Sequence, residues 1–219
     1  MKTLKLLSAL LSYPSEDLIA ALPEIARRLA AEPALRRATQ DALAGLLAEL
    51  GRDELLDLQE RYVAQFDAGR ATSLHLFEHV HGDSRDRGQA MVDLKALYRR
   101  AGFALAPGEL PDYLPALLEY VALRPGEEAH ALLEDCAHIL RAIGERLVAA
   151  GSPYAAPLAA VLDLRGAAPL ALAVKPGARG APAFEDEWEE ARVEFGPNAA
   201  AQGTQQSRPQ FIRFVPKHP

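Results

Sequence analysis

Three histidines crowd into seven positions, at His75, His79 and His81, with Glu78, Asp83 and Asp86 close by, and side chains of these types can hold a divalent metal. The i, i+4 spacing of His75 and His79 would put both imidazoles on one helical face. The order is not that of an HExxH metallohydrolase, because Leu76 follows the first histidine and Glu78 precedes the second. A metal-dependent enzyme built on His75, His79 and His81 is thus permitted by the spacing but not specified by it. Nucleophilic chemistry has less support. Ser73 and Ser84 have histidines nearby in sequence, yet neither sits in a GxSxG elbow. Cys136, the single cysteine, falls on an apolar helical stripe with no helix start or cation beside it to lower its pKa.

The same stretch also reads as a recognition surface. Seven of the 14 aromatic residues lie between positions 62 and 120: Tyr62, Phe66, Phe77, Tyr98, Phe103, Tyr113 and Tyr120. A His-rich, aromatic and nearly charge-balanced stretch between helices suits capture of a peptide helix, whose apolar face would lie in a groove rimmed by polar groups. The competing expectation, residue by residue, is that the aromatics fill core and the charges make surface pairs.

Helices must position these groups. The chain is 49% hydrophobic but only 6% aromatic, so its apolar content is mainly Ala, Leu and Val, and Ala and Leu lose little entropy in a helix. The predicted class is all-α, a single-domain helical bundle. The N-terminal stretch MKTLKLLSALLSYPSEDL superficially resembles a secretion signal, but Ser8 and Ser12 break its apolar run, Leu4, Leu7 and Leu11 share a helical face and no small-x-small cleavage site follows, so it reads as a first helix of the fold. Ser15, Glu16 and Asp17 signal a helix start, with Leu18, Leu22, Ile25 and Leu29 as its buried stripe, and Pro33 and Gly51 mark breaks. Further helices are predicted from Leu55 to Phe66, after a capping box at Asp83 to Asp86, from an opening at Glu109 to Pro115, from Glu127 to Ala150 with Gly151 as its cap, and over 153 to 163. No apolar run approaches the roughly 18 residues needed to cross a bilayer.

A net charge of −6 argues against a general nucleic-acid binder, and one cysteine without a CxxC pattern fits a reducing compartment. Beyond the helical domain expected over 1–165, composition shifts: six of 16 prolines fall from Pro176 onward, so residues 166–219 are expected to be a flexible tail. Within it, Phe184, Trp188, Ala191 and Phe195 are spaced as one face of a short amphipathic helix over 184–195, carrying the only tryptophan. Phe211 to Val215 is a lone strand candidate.

Residues 73–94, SLHLFEHVHGDSRDRGQAMVDL, preceded by Tyr62 to Asp67 and followed by ELPDYLP at 109–115, resemble the nitrate reductase delta subunit family of molybdenum cofactor assembly chaperones. The likeness covers roughly residues 4–165. It implies a cytoplasmic, non-catalytic, all-helical chaperone that binds the catalytic subunit of respiratory nitrate reductase, including its N-terminal segment. The chaperone would keep that subunit competent for insertion of the molybdenum cofactor and an iron–sulfur cluster, and delay docking to the membrane subunit. It would hold no cofactor of its own, bind no nucleic acid, enter no membrane, and exist as a monomer or weak dimer. The acidic E-x-x-D-H motif of the wider chaperone group matches Glu109 and Asp112, with Tyr113 in place of the histidine.

On this basis a client groove is expected between the helix ending at Phe66, the His75 to His81 segment and a helix starting at Asp112. Tyr62, Phe66, Phe77 and Tyr113 would meet an apolar peptide face, while Glu78, Glu109 and Asp112 would attract its positive charges beside His75, His79 and Pro111. Asp112→Lys is expected to weaken binding without harming the fold. Protonation of the histidines is expected to make binding pH-dependent. The 184–195 helix would either dock on the groove as a tethered competitor or pack permanently on the bundle.

Overall fold

In the computed structural model, residues 2–80 and 85–172 are described, and they form eight α-helices, one short 3-10 turn and no extended strand. The predicted 184–195 helix, the 211–215 strand, His81, Asp83 and Ser84 lie outside the described residues.

The helices form where capping and periodicity demand them. α1 spans Lys2–Leu11 and is a core helix, with Leu4, Leu7, Leu10 and Leu11 wholly buried. At the start of α2 (Glu16–Ala30) the Ser15 hydroxyl accepts the Leu18 amide at 3.2 Å, satisfying a first-turn donor that has no intrahelical partner. Its stripe of Leu18, Leu22, Ile25 and Leu29 is buried as expected. A short connection leads to α3 (Arg37–Leu50), so the two pack as a hairpin, and α4 (Leu55–Phe66) has the predicted bounds. After the 3-10 turn Leu76–Glu78 come α5 (Arg85–Arg100), α6 (Leu114–Ala122), α7 (Gly126–Ala149) and α8 (Ala155–Leu164).

α7 stops where Gly151 takes φ +67°, a left-handed conformation that costs glycine nothing. There the Ser152 and Gly151 amides return to the Leu147 and Val148 carbonyls, each at 2.9 Å, capping the last turn.

Apart from Asp163, α8 is apolar on every side, which is stable only for a helix surrounded by others, and Ala155 to Asp163 are all buried. It packs on α7, α3 and α1, while α1 also packs along α6 and on α2. The α2/α3 hairpin therefore lies on one flank of the α1 and α8 centre, and α6 and α7 on the other. Two buried polar groups tie the layers: Ser8 donates to the Pro115 carbonyl at 2.8 Å, and Asp163 accepts the Arg36 amide at 2.9 Å as well as the Arg36 guanidinium. Past α8, Leu170 packs against Gly144 of α7, where an added Cβ would come within 2.8 Å of it.

One element differs from expectation. The helix expected to open over Glu109 to Pro115 begins only at Leu114, with Pro115 in its first turn. The preceding residues are drawn instead into backbone pairing with the 74–76 loop: the Leu76 amide donates to the Asp112 carbonyl at 3.1 Å and the Leu114 amide to the Leu74 carbonyl at 2.8 Å.

Candidate functional site

Those two backbone bonds make His75 and Tyr113 an isolated antiparallel bridge, and the side chains of the motif are arranged around it. Asp112 is at its centre with 0% exposure. A carboxylate taken out of water must be compensated, and here one oxygen accepts the Phe77 amide at 3.1 Å while the other meets His75 Nδ1 at 3.3 Å. The hydrogen bond to Asp112 outweighs the cost of burial and raises the His75 pKa above its ordinary value. The His75 ring also lies over Tyr113, with centroids 5.4 Å apart.

From Tyr113 the network turns inward. The Tyr62 hydroxyl is 2.8 Å from the Leu11 carbonyl and 2.8 Å from the Tyr113 hydroxyl. A carbonyl can only accept, so the single Tyr62 proton goes to Leu11 and Tyr113 is the donor to Tyr62. This chain links α1, α4 and the approach to α6. Tyr62 also stacks with Phe66 at 4.8 Å, edge-on to Tyr13 and Tyr154. Burial pushes the Tyr62 phenol far above its ordinary value, which leaves it a neutral strut and no acid or base near pH 7.

Ser73 organises the other side. It is buried, its hydroxyl accepts the His75 amide at 3.2 Å, and its carbonyl takes His79 Nε2 at 2.8 Å. Burial lowers the His79 pKa, with nearby Arg146 adding to the effect and the Ser73 contact opposing it, so His79 favours the neutral ring that donates to that carbonyl. Glu78 sits 3.2 Å from Arg87. Burial works against its ionisation, but hydrogen bonding to Ser73 and the Arg87 guanidinium prevail and hold its carboxyl below the usual range.

The expected residues are thus assembled, though not as an open groove. Tyr62, Phe66 and Phe77 are 4%, 3% and 1% exposed, and Pro111 and Asp112 are buried, so in this conformation their side chains face core and not a client. The apolar floor expected from them is filled by the protein's own helices. Asp112→Lys, expected to spare the fold, would place an ammonium in a site closed to water. What solvent reaches is the rim: half-buried His75, Glu78, His79, Glu109 and Tyr113, with exposed Leu110 and Tyr13. The Glu109 carboxylate makes one long contact, with the Ala106 amide at 3.4 Å.

Catalytic alternatives do not gain from the geometry. His75 and His79 flank a single 3-10 turn and do not share an α-helical face, and each ring is already engaged, by Asp112 and by the Ser73 carbonyl. Among the described residues no group of three His, Cys, Asp or Glu side chains is placed to hold a metal ion. Cys136 is wholly buried and its thiol is pushed up by burial, away from the thiolate a nucleophile needs. No described helix is long and apolar enough to cross a membrane.

Sequence reasoning missed Ser73 as a structural hub and Tyr13 and Leu110 as exposed rim. A serine two residues before the amide it binds is a local turn signal, and it was available at Ser73-Leu74-His75.

The nitrate reductase delta subunit family matches residues 32–160. The chain is 42% identical over 201 residues to the nitrate reductase molybdenum cofactor assembly chaperone NarJ of Escherichia coli, covering 89% of this chain and 85% of that protein. It is 43% identical over 168 residues to the probable assembly chaperone NarW of the same organism, covering 76% and 69% respectively. It is also 33% identical over 153 residues to the probable NarJ of Bacillus subtilis, covering 70% and 82%. These relatives are named as assembly chaperones and not as enzymes, and the chain belongs to the nitrate reductase delta subunit family.

Proposed function

We propose that this chain is a cytoplasmic chaperone that binds the catalytic subunit of respiratory nitrate reductase, including its N-terminal segment, and keeps it competent for insertion of the molybdenum cofactor and an iron–sulfur cluster before the subunit docks at the membrane. The observation that carries the reading is the extent of the match to NarJ, which spans 85% of that assembly chaperone at 42% identity. The site supports it in a second way, since the histidines, acids and aromatics that might have served catalysis are spent on holding two loops together.

In this reading the client meets the rim of the bridge and not the buried network. Glu109 and Glu78 attract basic residues of the client segment, while His75, His79, Tyr113 and the exposed Leu110 meet its apolar side. Asp112, Tyr62, Phe66 and Phe77 act beneath them by fixing the positions of His75 and Tyr113. Calorimetric titration with a peptide copying the N-terminal segment tests this. Glu109→Lys and Leu110→Asp should each weaken binding by about 1 kcal/mol or more with the melting temperature nearly unchanged, because neither side chain carries core packing. Unchanged affinity in both variants would place the client elsewhere on the chaperone.

A further inference from the structure

We propose that the groove between α2 and α3 is the docking seat of the chain's own segment 184–195. The groove encloses about 380 Å³, and of its lining residues only Gln40 is polar. Alanines at 26, 30, 44 and 48 recur at i, i+4 on the two facing helices, and their small side chains leave the trough open above a floor that includes Leu29 and Leu43. No other described element fills it.

Three observations select the occupant. The first is pattern: Phe184, Trp188, Ala191 and Phe195 present large apolar side chains along one side of a helical spacing, which complements a trough walled by alanine. The second is reach. The Arg36 guanidinium holds the Ala167 carbonyl at 2.7 Å beside the start of α3, one wall of the groove, and the chain then turns onto α7, where Arg141 donates to the Ala168 carbonyl and Leu170 packs against Gly144. From Leu172 the chain has 11 residues before Phe184, enough to span roughly 35–40 Å when extended, whereas a helix the length of α3 is only about 21 Å long.

The third is charge. Residues 181–195 hold six acids and one arginine, a net −5, while four arginines, Arg27, Arg28, Arg36 and Arg37, gather where α2 passes into α3, paired there with Glu24, Asp163 and Asp41. Arg27 and Arg37 pair with Glu24 and Asp41, but with side chains 68% and 84% exposed they are loosely held and free to exchange partners. A tether of this length also presents the segment at an effective concentration on the order of millimolar, so modest intrinsic affinity suffices.

Trp188 is the only tryptophan in the chain, so its fluorescence in the full-length protein reports on this segment alone. The expected result is blue-shifted emission and acrylamide quenching several-fold weaker than for a free indole, independent of protein concentration. Ala44→Glu and, as a second variant, Ala26→Glu should shift emission to the red and restore full quenching while far-UV circular dichroism and melting hold; Arg37→Glu and added salt should do so in part. Free-indole quenching in the unmodified protein overturns the proposal. So does shielding that survives in both groove variants, which leaves the groove to another partner, or shielding lost on dilution, which assigns the seat to the tail of a second copy.

Discussion

The bridge at His75 and Tyr113 and the groove between α2 and α3 are opposite solutions to surface design. The first is dense with ionisable and aromatic groups, yet nearly all are satisfied internally: Asp112 by an amide and an imidazole, Tyr62 by a carbonyl and a phenol, His79 by a carbonyl. The second contains almost nothing chemically distinctive and is left open. Residue types that promise chemistry have here been used to pin loops together, and apolar surface available to a partner has been left where the residues are plainest. A polar network closed on itself is rigid and intolerant of change, whereas an alanine-walled trough accepts substitution.

The sharpest way to break this contrast is Asp112→Leu. Removing the buried carboxylate strands the Phe77 amide and the His75 ring, and we expect a loss of about 3 kcal/mol or more in chemical denaturation. A smaller loss is expected from Tyr62→Phe, which deprives the Leu11 carbonyl of its donor and Tyr113 of its acceptor, at about 1–2 kcal/mol in the same assay.

The two histidines give a pH test with opposite signs. His75 has a raised pKa in the fold, so its pairing with Asp112 stabilises fully below the unfolded value near 6.5 and fades as pH rises through the folded one. His75→Gln should therefore cost more stability at pH 5.5 than at pH 8. His79 has a lowered pKa, so its contribution is present above the unfolded value and lost as pH falls; His79→Gln should flatten the acid side of the stability profile. Denaturation midpoints at the two pH values separate these outcomes. The smallest effect is expected in the groove, where Ala44→Glu and Ala26→Glu should alter stability by no more than about 0.5 kcal/mol.

Much of the helical frame is legible in the residues themselves. Ser15 with its first-turn acids, the stripe from Leu133 to Leu147 with Gly151 after it, and the run from Leu55 to Phe66 all encode their elements locally, by capping and by periodicity. The site is legible in membership but not in role. Periodicity reports that Tyr62 and Phe66 share an apolar face without saying what covers it, and Tyr154 and the α1 carbonyl come from far along the chain. The start of α6 was misplaced for the same reason: Asp112 resembles a helix opener, but its carboxylate and carbonyl are claimed by residues 75 to 77, over thirty positions earlier. The groove gave no signal beyond alanines spaced by four on two helices, a pattern that ordinary close packing also produces.

The central claim, that this protein escorts the catalytic subunit of nitrate reductase, is tested most directly by co-purification. The full-length chain, co-expressed with that subunit, should elute with it as a stable complex, and deleting the N-terminal segment of the subunit should sharply reduce recovery. Separate elution of the chain from the intact, cofactor-free subunit would contradict the account.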